Sequence, residues 1–217
     1  MTPYTALYDD VMPELPGADL AVVLHQIKRT CNDFYERSLY ARETLVPIDV
    51  VQGTATYTPI VSDPADFEIG KILGVRFNNG SAAGPVKLQS RTKHQLNIEV
   101  PNWDTRQGNP VYYTQGDIAS VTLVYVPDAG YVGGLIVTIA KLPIYLGVGI
   151  DTNIFEKFSE AIGAGIKQRM MRMAKKPWSN PQMALEYGKF FESEVSAAAV
   201  IAGRSFGSAP LRSRSYG

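Results

Sequence analysis

The residues able to do acid–base, nucleophilic or metal chemistry are few. The chain has two histidines and one cysteine, so the usual nitrogen and sulfur ligand sets for zinc are scarcely available. His25 lies beside an apolar stripe of helical spacing. His94 lies in the polar run Arg91-Thr-Lys-His94. A general base needs a partner within reach, and neither histidine has one nearby in sequence. Cys31 falls on the apolar face, where a free thiol serves as a small hydrophobe. Asp9-Asp10 and the pair Glu156/Glu160 suggest a two-carboxylate site. Glu156 and Glu160, however, are spaced i, i+4 on a polar helix face, the pattern of a solvated surface. Gly147-Val-Gly149 follows an apolar stretch and precedes a helix but lacks the third glycine of a dinucleotide fingerprint. There is no phosphate-cradling loop and no nucleophile elbow. Asn79-Gly80-Ser81 fits a glycosylation sequon and reads as a turn. The residues call for no catalyst, cofactor or metal, and the expectation is a protein that is not an enzyme.

Composition narrows the classes further. The chain has 217 residues, with 45% hydrophobic content, 21 basic and 21 acidic residues, and a formal net charge of zero. That suffices for a substantial core and argues against a strongly basic nucleic-acid binder. A single cysteine rules out an internal disulfide framework. No basic stretch followed by an apolar run opens the sequence, so no signal peptide is expected. The most apolar segment, residues 133–150, is interrupted by Lys141 and Pro143 and alternates like strand.

The elements that must position these residues follow from periodicity. Leu20, Val23, Leu24, Ile27, Cys31, Phe34 and Tyr35 recur at three- and four-residue steps, predicting a helix from Asp19 to about Glu43. Residues 46–51 and 55–60 read as a hairpin around Gln52-Gly53. Strands are expected at 71–77, closed by Asn78-Asn79-Gly80, and at 110–114, 118–126 and 134–141. A short helical turn is expected within 90–98. Ile154, Phe155, Phe158, Ile162, Ile166, Met170 and Met173 predict a second helix after Asp151 or Thr152, and Gly163-Ala-Gly165 within it would allow close helix approach. Asn180-Pro181 starts a third, with Met183, Tyr187, Phe190, Phe191, Val195, Ala198 and Ile201 as its face and Gly203 as its stop. The two tryptophans, Trp103 and Trp178, are the large structural anchors, Trp178 at the break between the last two helices.

The predicted fold is α+β: an antiparallel helical bundle of one N-terminal and two C-terminal long helices, an inserted antiparallel β domain, and an extended tail. The segments are 1–45 (N-terminal segment and helix), 46–141 (β domain), 142–203 (two-helix segment) and 204–217 (tail). The tail holds three Arg, four Ser and no acid, which suits a segment that orders on a partner, with Arg for carboxylates and aromatics as anchors.

Four elements carry a family resemblance: Leu-Tyr-Asp-Asp-Val-Met-Pro-Glu-Leu-Pro-Gly17 before the first helix; Phe34-Tyr-Glu-Arg-Ser38 followed by the 47–57 segment; Pro101-Asn-Trp103 with Gly108-Asn-Pro-Val-Tyr-Tyr113; and Lys176-Pro-Trp-Ser-Asn-Pro181 with the basic tail. In this order they resemble the head-to-tail adaptor (connector) proteins of short-tailed bacteriophages. The resemblance implies a ring, commonly of twelve copies, in the virion neck between the portal protein and the tail nozzle. DNA would pass through its lumen without specific binding. By position, the portal-docking residues would be Arg204, Phe206, Leu211, Arg212, Arg214 and Tyr216. The alternative is a ligand- or glycan-binding β module of a virion, using Trp103 and Tyr112/Tyr113 on a sheet face.

Overall fold

The computed structural model describes residues 1–204. The chain divides into two compact units, one of Met1–Ala41 with the chain from Tyr145 onward, the other Arg42–Ile144.

The first unit opens with β1 (Thr2–Pro3), a 3-10 turn, the single-turn α1 (Tyr8–Val11) and a second 3-10 turn. Leu7, Val11 and Leu15, spaced four apart, are fully buried along it. α2 (Leu20–Ser38) starts where Asp19 accepts the Ala21 N–H at 2.7 Å, a side-chain N-cap. It stops where Leu39 enters the left-handed region at φ 49°, short of the predicted Glu43.

The second unit holds β2 (Arg42–Thr44), β3 (Ile48–Val50), β4 (Thr56–Tyr57), β5 (Phe67–Phe77), β6 (Val86–Ser90), α3 (Lys93–Glu99), β7 (Tyr112–Thr114), β8 (Val121–Val124) and β9 (Tyr131–Pro143). The order is β2-β9-β5-β6-β7-β8-β4, with β3 also on β9. Two register shifts between β5 and β9 bend the sheet, as bulges do. Leu88, Leu123, Leu135, Val137 and Ile139 form part of its core.

The chain then returns to the first unit through β10 (Gly149–Ile150), which pairs with β1. A Cβ on Gly149 would lie 2.2 Å from the Thr2 carbonyl oxygen. The glycine of Gly147-Val-Gly149 therefore admits a neighbouring backbone rather than a cofactor. α4 (Thr152–Met171) and α5 (Pro181–Gly203) follow, α5 capped by the Asn180 side chain on the Met183 N–H.

The expected architecture is corrected. Among the described residues there are five helices, two of them no longer than seven residues, and they build no long helical bundle. α2, α4 and α5 have 19, 20 and 23 residues. They pack into a unit shared with the N-terminal turns and the β1–β10 ribbon. The largest assembly is a curled, mixed sheet. It is not antiparallel throughout, because β6 and β7 run parallel, Gln89 opposite Tyr112 and Ser90 opposite Tyr113. The reason lies in segment 91–111. It contains α3, held by a capping box between Thr92 and Gln95, and parallel neighbours need such a crossover. The 46–60 hairpin does not form either: β3 pairs with β9, and β4 with β8. The Tyr57 hydroxyl accepts the Val51 N–H at 3.0 Å and donates to the Thr54 carbonyl at 2.8 Å. A side chain thus closes that turn in place of a strand ladder.

The two glycines of α4 differ sharply. A Cβ on Gly165 would lie 2.6 Å from Thr30 Cγ2 and 2.9 Å from Phe191 Cδ2, whereas one on Gly163 meets nothing nearer than 3.9 Å. Thr30 is fully buried and tied to the Gln26 carbonyl at 2.8 Å, so it cannot yield. Gly165→Ala is expected to cost about 1–3 kcal/mol through overpacking. Gly163→Ala should be neutral or stabilising by up to about 1 kcal/mol through helix propensity. Denaturant unfolding of the two variants checks the contrast.

Candidate functional site

The candidate site is the α4–α5 pair and the chain end it presents. α5 carries two faces. Ala184, Gly188, Phe191, Val195, Ala198 and Ala202 are buried. Met183, Phe190 and Ile201, predicted as core, are 39%, 39% and 42% exposed, and at 100° per residue they line up on one stripe. Four of the six buried residues are Ala or Gly, while the bulky Phe191 turns its ring onto Gly165 of α4.

Beside that stripe, Glu160, Ala164, Lys167, Glu186, Tyr187 and Phe190 line an open groove of about 410 Å³. Its floor is fixed by a clamp. Lys167 Nζ donates to Glu14 Oε1 at 2.6 Å, and the Tyr187 hydroxyl donates to Glu14 Oε2. The N-terminal segment is thereby tied to both helices. A second network joins the three long helices: Arg37 donates both Nη groups to Glu192, lies 3.7 Å from Asp33, and Asp33 accepts from Arg169 at 2.9 Å. These pairs are partly exposed, where ion pairs contribute about 0–1 kcal/mol each. They fix orientation more than they hold the unit together.

α5 ends differently from expectation. Gly203 is its last helical residue, and Arg204, at φ −79°, closes on the Val200 carbonyl. No left-handed glycine is involved. Arg204 is exposed. The other expected docking residues, Phe206, Leu211, Arg212, Arg214 and Tyr216, lie outside the described residues.

Of the two expected anchors, Trp178 is 9% exposed in the α4–α5 connection, and its Nε1 is buried with no acceptor among the described residues. Trp103 is half-buried after α3, and its Nε1 donates to Asn97 at 2.9 Å. The Arg91 guanidinium lies over the Tyr112 ring at 5.4 Å, and Tyr113 is 5% exposed. Of the three aromatics considered for ligand stacking, Tyr113 is thus buried, while Trp103 and Tyr112 are part-buried.

The potential catalytic groups stay apart. His25 is exposed, with Tyr145 at 3.2 Å; His94 is exposed on α3. Cys31 is fully buried, and burial pushes its thiol well up from the ordinary range. Glu156 and Glu160 are exposed. Among the described residues no three His, Cys, Asp or Glu gather as metal ligands, and no helix is long and apolar enough to cross a membrane.

The family model described as SU10 adaptor protein covers residues 2–214. No curated protein matches the chain. The matched span takes in the Glu14 clamp and the chain end through Arg214.

That clamp has a pH signature. Burial acts to raise the Glu14 pKa, but hydrogen bonds from Lys167 and Tyr187 outweigh it and hold the carboxyl below its ordinary 4.5. The bond to Glu14, with burial, pushes Tyr187 from 10.0 up to about 12. A depressed carboxylate contributes stability that is present above its unfolded value and lost as pH falls through the folded one. A raised phenol contributes stability that is present below its unfolded value and lost as pH rises through the folded one. Glu14→Gln should therefore lower the Tyr187 pKa toward 10.0 and flatten the acid limb of the stability profile. Tyrosinate absorbance and denaturant unfolding across pH measure both.

Proposed function

The chain belongs to the SU10 adaptor protein family, structural adaptors of phage virions, and we propose that it is the head-to-tail adaptor joining portal to tail. In this reading copies form a ring beneath the portal protein, of the twelvefold order common among connectors. The C-terminal segment docks on portal subunits through Arg204, Phe206, Leu211, Arg212, Arg214 and Tyr216. The opposite side receives the nozzle, and DNA passes through the lumen.

The observation that carries the reading is the extent of the family match. It runs past the end of α5 to residue 214, so the basic segment belongs to the family pattern along with the folded units. Arg204 supports it locally, since α5 delivers this first arginine exposed at its end. A guanidinium there, followed by Arg212 and Arg214, suits bidentate pairing with carboxylates on a partner. The formal neutrality of the chain suits a channel in which DNA slides, because tight phosphate neutralisation would hold it back.

Electron microscopy of the protein mixed with its cognate portal tests the proposal. The expected result is a second ring stacked on the portal. It should be lost when the chain is truncated after Gly203, and also when Arg204, Arg212 and Arg214 are changed to Glu in the full chain. Unchanged stacking by both variants would remove the tail from the docking role. A folded protein that adds no ring to an intact portal would remove the adaptor ring itself.

A further inference from the structure

The acids of the chain are unevenly spread. Residues 69–98 hold five basic residues and His94 but no Asp or Glu. At 21 acids in 217 residues, a stretch of that length would hold about three. The stretch takes in most of β5, all of β6 and most of α3. The strand register sets its cations on one face. Lys71, Gly74 and Arg76 lie opposite Ala140, Thr138 and Ile136 of β9. These are alternate residues of one strand and so share one side of the sheet. Arg76 in turn lies opposite Lys87 of β6. Their sequence neighbours Val75, Phe77 and Leu88 are buried on the other side, while Lys71, Arg76 and Lys87 are exposed. Among the described residues none of these three cations has a salt-bridge partner. Glu68, the carboxylate of this row, stands at its far end, opposite Leu142. Like charges directly opposite one another destabilise a sheet, so the fold gains nothing from setting Arg76 against Lys87. Between Lys71 and Arg76 the face is open, since a Cβ on Gly74 would meet nothing within 4 Å.

We propose that this face of β5 and β6 is a contact surface for the phosphate backbone of double-stranded DNA, centred on Arg76 and Lys87 with Lys71 beside them. Protein–protein surfaces fix their register with complementary charges of both signs. Here one sign alone extends over two strands, which matches the uniform charge of a phosphate backbone. A backbone laid across Arg76 and Lys87 also relieves their repulsion. The contact is weak and independent of sequence. Three neutralised phosphates give a slope of log Kobs against log salt of about −2.7, shallow enough for a duplex to move along the face. The DNA contact does not depend on the adaptor reading. Its place in the virion does, because in that reading the face lines the lumen.

The test uses the full chain and a fluorescent duplex of mixed sequence, with no portal present. Anisotropy is followed as salt is raised. The expected result is binding at low salt that weakens with a slope of about −3. Arg76→Glu with Lys87→Glu should weaken low-salt binding by about tenfold or more. The same loss should appear in a chain that also carries Arg212→Glu and Arg214→Glu, which separates the face from the basic chain end. Arg76→Gln with Lys87→Gln should bring the slope about two closer to zero. That variant should unfold no earlier than the wild type, because a repulsive pair is relieved. A wild type without salt-sensitive binding would overturn the proposal. So would binding that keeps its full slope in both variants. Displacement of the duplex by poly-glutamate at equal charge concentration would make an acidic protein surface the occupant, and would also overturn it. None of these results touches ring formation, which the portal mixture tests separately.

Discussion

At Gly165 the backbone of α4 passes so close to Thr30 of α2 and Phe191 of α5 that no side chain fits. The helical unit is arranged around that clearance. Three helices meeting at one point cannot slide or rotate independently, because a packed interior transmits a shift of a fraction of an ångström. Ile162, Ile166 and Met170 on α4, Cys31 and Phe34 on α2, and Val195 and Ala198 on α5 are buried as a result. The charged networks at Glu14 and at Arg37 sit outside this contact and are partly exposed. They can form only once the helices are in place, so they report the packing rather than create it.

The same constraint explains which parts of the helical unit were legible in the sequence. α2 and α4 bury large side chains at three- and four-residue steps; of their expected faces Leu20 is 53% exposed, Leu24 and Phe155 are only part-buried, and Met173 lies beyond the end of α4. Ranking by hydrophobic size fails on α5. There the expected Phe191, Val195 and Ala198 are buried, but Ala184, Gly188 and Ala202 fill the rest of the interior side, and the larger Met183, Phe190 and Ile201 remain at the surface. A close crossing selects small residues, which a pattern search treats as neutral. The N-terminal turns were missed for a related reason. Leu7, Val11 and Leu15 are all buried, but the turns carrying them are each too short to show a period.

In the β unit local signals were read well and pairings were not. The Asn78-Asn79-Gly80 turn and the capped helix after Thr92 are written in adjacent residues. Strand partners are not. The 46–60 segment has the residues of a hairpin, yet its two strands join β9 and β8. That choice depends on the Tyr57 hydroxyl taking the polar groups of the turn. The parallel β6–β7 pair likewise depends on where α3 and the loop closed by Trp103 return the chain. A single sequence holds both outcomes, and tertiary packing selects one.

The candidate site was legible as composition and not as geometry. A basic segment with spaced apolar residues after a helix stop is visible in one reading of the chain. The groove between α4 and α5 is not, because it arises from two helices that lie one connection apart in sequence and from a helix face exposed against its own hydrophobicity. An exposed apolar stripe raises free energy in water unless something covers it. Here the stripe runs along α5 from Met183 through Phe190 to Ile201. The packing at Gly165 thus has a consequence beyond stability. With Phe191 turned inward against Gly165, Met183, Phe190 and Ile201 are left on the exposed side of α5.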